Sequence, residues 1–262
     1  NEETLEFVEK CDKEFNLNVV WVESVIHEGW AGTTHKIVNF ETANRDGSIF
    51  EKMIEKYGIP NLSWMHCSRE LKTRAIDSYL KSIGWMTKRG NMDVINCHRA
   101  IGYRADEIDR VKSTYIEDKI IYPLAFEHPM TKQMINTFWR DMPFRLELKG
   151  YEGNCKFCWK KSLRKQMTLA TERPEIYEFT RRMEKLHGKT GAGIEEGTGC
   201  NSEGNRVFFR GNNSTEDIFA MAQDDFNPAI DDSVNYEVQM ELLGELDELD
   251  QSNGCEESCE AY

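Results

Sequence analysis

The chain has 262 residues, 39% of them hydrophobic and 30% charged, which is enough to bury a sizeable core in one large domain or one domain with an appendage. It holds no run of 18 apolar residues, which excludes a membrane-spanning helix, and no charged, apolar, small-residue leader opens it, so a cytoplasmic location is expected. The net charge of −13 is uneven: thirteen of the 46 acids and none of the 33 bases fall in residues 224–262, leaving 33 acids against 33 bases in residues 1–223.

Residue 1 is Asn, and EETLEFVEKCDKEF already has helical spacing, with Leu5, Val8 and Phe15 on one face, so the chain is expected to lack its original start. NVVWVES (18–24) reads as a buried strand. Residues 25–46 read as a polar loop, and 48–58 as a helix ending at a Gly cap. After Pro60, residues 68–84 form a helix with Leu71, Ile76, Tyr79, Leu80 and Ile83 facing inward. The β-branched stretches 92–98 and 119–124 have the character of inner strands. A helix over 131–142 stops before Pro143. Further helices are expected over 156–172 and 174–187, with Pro174 in the first turn of the second. A Gly-rich loop (188–204), a short strand RVFFR and a capped helix at NSTEDIFAMA follow.

Helices alternating with buried strands predict an α/β fold with a doubly wound, mostly parallel sheet covered on both faces. Three regions are expected: an α/β domain over 1–150, a helical, cysteine-bearing segment over 151–223, and an acidic tail over 224–262 that reads as solvated. Ligands in such sheets bind where loops leave the carboxyl ends of strands, which selects the segments after Ser24, Cys97 and Leu124.

Three segments carry chemistry. In HCSRELKTR (66–74), Arg69 and Lys72 share one face near a helix start, which suits an anion, although spacing alone favours a solvated helix face. In IGYRADEIDR (101–110), Gly102 allows close approach to the backbone. Arg104 follows a strand with Asp106 and Glu107 beside it to orient it, placed either to grip a phosphate or sulfate with paired hydrogen bonds or to form a loop ion pair. YEGNCKFCWKKSLRKQ (151–166) sets Cys155 and Cys158 in C-x-x-C spacing, which provides half a tetrahedral metal site, half the ligands of an iron–sulfur cluster, or a dithiol redox pair. Cys67 and the C-terminal pair Cys255 and Cys259 are further candidate ligands. Cys11 and Cys97 read as small core residues, and Cys200 is unassigned. The histidines show no zinc-hydrolase pattern, and the six tryptophans are scattered enough to read as core.

Taken in order, EETLEFVEKCDKEFNLNVVWVE, HCSRELKTRAIDSYL, VINCHRAIGYRADEIDR, IIYPLAFEHPMTKQMINTFWRDMPF and GYEGNCKFCWKKSLRK resemble the phosphoadenosine phosphosulfate reductase family, in its phage and bacterial branch within the adenine nucleotide alpha-hydrolase-like (PP-loop) superfamily. The resemblance implies a doubly wound sheet. The family's Ser-Gly-Gly-rich PP-loop would precede residue 1 and is absent from this sequence. It further implies that Arg69, Lys72 and Arg104 contact the phosphate or sulfate of an adenine sulfonucleotide. Cys155 and Cys158 would hold a four-iron cluster or zinc, with Cys67 and either Cys255 or Cys259 completing the set.

The family's catalytic cysteine lies in a Glu-Cys-Gly context that GCEESCEAY does not reproduce, leaving Cys255 and Cys259 as weak candidates for a nucleophile. By the family route a thiolate attacks the sulfonyl group and a thiol donor releases the product. The alternatives are sulfur transfer to nucleic acid, as in related PP-loop proteins, and a non-catalytic nucleotide- or partner-binding protein whose metal ties its C-terminal segment down.

Overall fold

The computed structural model describes residues 1–89, 92–231 and 233. In chain order they form α1 (Glu2–Phe15), β1 (Trp21–Val25), β2 (Thr34–Val38), α2 (Ser48–Tyr57) and α3 (His66–Ser68), which runs through a π-helical turn at Arg69–Thr73 into α4 (Arg74–Ser82). Then come β3 (Met86–Arg89), β4 (Met92–Ile95), β5 (Arg99–Ala100), β6 (Ile120–Ile121), α5 (Lys132–Arg140), α6 (Leu163–Glu172), α7 (Glu178–His187) and α8 (Thr215–Met221). Side chains set several of these starts: Thr131 accepts from the Met134 N–H, Ser162 from the Lys165 N–H, and Ser214 and Asp217 form a reciprocal capping box. Asn16, in the left-handed region at φ 50°, closes α1.

The strands depart from expectation. Among the described residues there are three two-stranded sheets and no doubly wound parallel sheet. β1 pairs antiparallel with β2, which lies in the segment expected to be loop, and β4 folds back antiparallel on β3. Only β5 and β6 pair in parallel, through Arg99↔Ile120 and Ala100↔Ile121, with Arg99 N–H to Lys119 O (2.8 Å) and Ile101 N–H to Ile121 O (2.9 Å) flanking them. β-branched runs favour extended backbone without choosing a partner, and a nearby antiparallel partner needs less loop closure than a distant parallel one.

The largest buried cluster is helical. Met53 and Ile54 of α2, Leu169 and Ala170 of α6, Met183 of α7 and Ile218 of α8 pack with Ile59, Tyr177, Phe208 and Phe209. This core crosses residue 150, so the expected regions 1–150 and 151–223 share their packing. RVFFR contributes buried Phe208 and Phe209 with two isolated bridges, Cys200↔Arg206 and Phe209↔Asn213, rather than a strand. A second cluster joins Tyr103, Ile120, Tyr122 and Ala125 around the β5–β6 pair. The acidic region is also docked at its start: Ala229 is buried and its N–H donates to Thr168 Oγ1 (2.8 Å). Packing therefore continues past residue 224, where a solvated tail was expected to begin.

Two glycines separate backbone requirement from open space. Gly58 ends α2 at φ 89°, and a Cβ there would lie 2.4 Å from Thr190 O and 2.5 Å from Arg206 Nη1. Gly102 has nothing within 4 Å of the same position. Gly58→Ala is expected to destabilise the fold by about 2 kcal/mol or more, from backbone strain and collision with a fixed carbonyl. Gly102→Ala should change stability by less than about 0.5 kcal/mol. Urea denaturation of both variants checks this, and equal losses would contradict it.

Candidate functional site

The turn Ala105–Arg110 follows β5 and carries Arg104 at its entry. Glu107 is buried, accepts the Arg104 N–H (3.1 Å), and forms ion pairs with Arg104 Nη1 (3.2 Å) and with Arg110. Asp106 accepts from Arg104 Nε at 2.9 Å. Burial opposes ionisation of Asp106, but hydrogen bonds from Arg104 and the Lys132 N–H outweigh it and hold the carboxyl below its usual range. Two carboxylates thus fix one guanidinium, the arrangement expected around Arg104.

Arg104 lines a cleft of about 450 Å³, within the range of small-molecule sites. Gly102 stands beside it. On α5, Lys132, Asn136, Trp139 and Arg140 recur at helical spacing and form the facing wall. Arg145 and Lys149 contribute from the following segment, and Gly153 and Asn154 close one side. Among the described residues, five of those lining the cleft are cationic and Glu107 is the one acid. Arg145 and Lys149 pair with Glu147 and Glu172, and Arg140 with Asp141 among others; none of these three acids lines the cleft. The hydrogen bond from Lys149 to Glu172 (2.7 Å) holds its ammonium firmly charged. Trp139 meets Phe7 edge-on at 4.7 Å and Phe144 at 5.7 Å, which braces an aromatic wall in a cationic cleft. That combination suits a planar anionic ligand such as a nucleotide.

Arg69 and Lys72 occupy the π-helical turn and are not among the cleft's lining residues. The three cations expected to converge therefore do not share this cleft. Glu70, 1% exposed, organises that turn: its carboxylate meets Arg69 Nε (2.7 Å), Arg74 Nε (3.2 Å) and the Thr33 hydroxyl, and Ser24 Oγ donates to its carbonyl (2.9 Å). Arg69 also donates to His66 Nδ1 (3.2 Å). His66 is buried, lies within stacking distance of Trp64 (5.7 Å), and has no partner for Nε2 among the described residues.

The C-x-x-C segment is a tight turn, with the Cys158 N–H on Cys155 O at 3.3 Å. Phe157, between the cysteines, stacks against Phe50 of α2 (5.7 Å) and Phe179 of α7 (5.1 Å), so 156–162 turns and the expected helix starts only at Leu163. The fully buried Lys161 ammonium donates to Cys155 O (2.8 Å) and Lys156 O, and Gln166 Nε2 to Cys158 O (2.8 Å). Cys155 is exposed, and Cys67 packs at the edge of the main cluster. Among the described residues, no group of three or more His, Cys, Asp or Glu side chains is placed to hold a metal. Cys255 and Cys259 lie outside the described residues.

The segment after Leu124 was expected to help form a site, but the α5 side chains and the Arg145–Lys149 segment were not singled out. Their signal was present in KQMINTFWR, where Lys132, Asn136, Trp139 and Arg140 fall on one helical face, but Trp139 alone read as core.

No protein-family model and no solved structure matches the chain. It is 28% identical over 214 residues to the uncharacterized nin region protein ORF290 of Escherichia phage lambda, an alignment covering 81% of this chain and 63% of that protein. No helix among the described residues is long and apolar enough to cross a membrane.

Desolvation, reinforced by Arg69 and Arg206, pushes His66 down to about 4. The unfolded imidazole takes up its proton near 6.5, so folding favours the neutral form. The stabilisation is present above about 6.5 and is lost as pH falls toward 4. Melting temperatures across that window should fall in the native chain and flatten in His66→Phe. An unchanged slope in the variant would assign the loss to other groups.

Proposed function

We propose that the chain binds an adenine sulfonucleotide, or a closely related anionic adenine nucleotide, in the cleft between Arg104 and α5. The observation that carries the reading is the cleft itself: a braced guanidinium, four further cations and an indole wall around about 450 Å³. Arg104 meets the phosphate or sulfate, Lys132 and Lys149 add charge, and Trp139 offers the adenine an apolar face. The resemblance to phosphoadenosine phosphosulfate reductases supplies the substrate class, and the phage relative is consistent with a phage-encoded protein working in a host cytoplasm.

By the family route, a cysteine thiolate attacks the sulfur of the phosphosulfate and the sulfur–oxygen bond to phosphate breaks. The nucleotide bisphosphate departs with the bond's electron pair. A dithiol donor then releases sulfite from the enzyme thiosulfonate and is itself oxidised to a disulfide. In this reading Arg69 and Lys72 serve as a second anion-binding element. Cys155 and Cys158 would supply half the ligands of a zinc or iron–sulfur site, which Cys67, not grouped with them among the described residues, and either Cys255 or Cys259 would have to complete. A second reading, a non-catalytic nucleotide- or partner-binding protein, is favoured by one observation: among the described residues, no cysteine lines the cleft.

Titration calorimetry with adenosine 3′,5′-bisphosphate tests the site. Arg104→Ala should weaken binding by ~2 kcal/mol, roughly 30-fold, because the contact is charged and largely shielded from water. Unchanged affinity would remove Arg104 from the site. Sulfite release from phosphoadenosine phosphosulfate with a dithiol donor supports the enzymatic reading, and binding without release supports the second.

A further inference from the structure

The α5 wall of the cleft has an order along it. Lys132, Asn136 and Trp139 stand four and then three residues apart, which places them on one helical face. At roughly 1.5 Å per residue the stripe runs about 10 Å along the helix axis. Its Lys132 end lies beside Arg104, because Asp106 Oδ2 accepts the Lys132 N–H (3.2 Å) and Asp106 Oδ1 accepts from Arg104 Nε (2.9 Å). The stripe therefore starts at the guanidinium, ends at an indole, and carries a carboxamide between them.

That carboxamide is uncommitted. Asn154 and Ser233 also line the cleft, but Asn154 Oδ1 accepts the Thr4 hydroxyl (3.2 Å) and Ser233 Oγ donates to Asp231 (2.6 Å). Asn136 is half-buried, and among the described residues no hydrogen bond reaches its side chain. A carboxamide sets an acceptor and a donor side by side. A ligand that shuts water out of the cleft must match both, or bind more weakly for leaving one unpaired.

We infer that Asn136 reads the base of the bound nucleotide and makes the cleft selective for adenine. The inference rests on the nucleotide-binding reading and adds the group that chooses the base. With a phosphate at Arg104 and the base against Trp139, the purine edge turned toward the 5′-phosphate carries N7 and the 6-substituent. That edge falls beside Asn136, since side chains three apart on a helix are about 5–6 Å apart at Cβ. Adenine presents there the N6 amino donor and the N7 acceptor, which a carboxamide matches with its oxygen and its amino group. A 6-oxo purine presents two acceptors on the same edge. Whichever way the amide turns, its oxygen then faces an acceptor. The other groups do not make this choice: Trp139 can stack on any base, and the cations answer to phosphate.

Titration calorimetry with adenosine 3′,5′-bisphosphate and inosine 3′,5′-bisphosphate, which differ at the 6-position, tests the assignment. The native chain should favour the adenosine compound about tenfold, the low end of what a paired base contact discriminates. In Asn136→Ala, a substitution by the strongest helix former, the preference should vanish, with adenosine affinity falling and inosine affinity staying near its native value. A native chain that binds both compounds equally overturns the inference. So does a variant that weakens both alike, because the amide would then only shape the wall. In either case binding that still depends on Arg104 leaves the nucleotide reading standing. If the native chain binds neither compound, that reading fails and this inference falls with it.

Discussion

A carboxylate taken out of water must be compensated where it sits, and Glu107 meets that demand with both neighbouring guanidiniums and a backbone N–H. The consequence is geometric. Arg110, tied to Glu107, lies over the Tyr103 ring at 4.3 Å, and Tyr103 stacks on Tyr122 at 5.5 Å. The turn is thereby fastened to the small cluster around the β5–β6 pair. Arg104, at the entry of that turn, is held against the cleft as a result. Losing Glu107 would remove one of the two carboxylates that fix Arg104 and the carboxylate that ties Arg110 to the turn, loosening the wall beside the cleft.

The rest of the molecule repeats this device with different chemistry. Glu70 gathers Arg69 and Arg74 into the π-helical turn, and the buried Lys161 ammonium gathers the carbonyls of the C-x-x-C turn. Each buried charge fixes a short irregular segment that carries candidate site residues, while the helical core around Phe208 and Phe209 supplies the apolar burial. Glu184 links the two roles. Its carboxylate accepts the Phe208 N–H (3.1 Å) and the Thr215 N–H (2.8 Å), fastening the buried aromatic pair to the start of α8, and desolvation raises its pKa despite those bonds.

Helices were legible because apolar spacing and caps act over a few residues: α1, α2, α5, α7 and α8 fall close to where Leu5, Gly58, Thr131, Pro174 and Ser214 place them. Strand partners were not, because pairing is decided between segments. NVVWVES reads as a strand, yet nothing in it announces Thr34–Val38 as its neighbour. The stretch 156–162 looks helical, but Phe157 gains more by joining the Phe50 and Phe179 rings than by continuing a helix. At the site, Arg104 with its two carboxylates was readable from RADE, since oriented charge is local. The α5 wall was hidden because Trp139 looks alike in a core and in a cleft, and only the third dimension sets it opposite Arg104. Arg69 and Lys72 illustrate the converse: residues that share a charge and an order along the chain do not have to share a cavity.

The central claim is that an anionic nucleotide sits between Arg104 and Trp139. A crystal structure of the full chain with adenosine 3′,5′-bisphosphate addresses it most directly. The account predicts a phosphate within hydrogen-bonding distance of the Arg104 guanidinium and the adenine against the α5 wall. A nucleotide bound instead at the Arg69–His66 turn, with the Arg104 cleft empty, would contradict it.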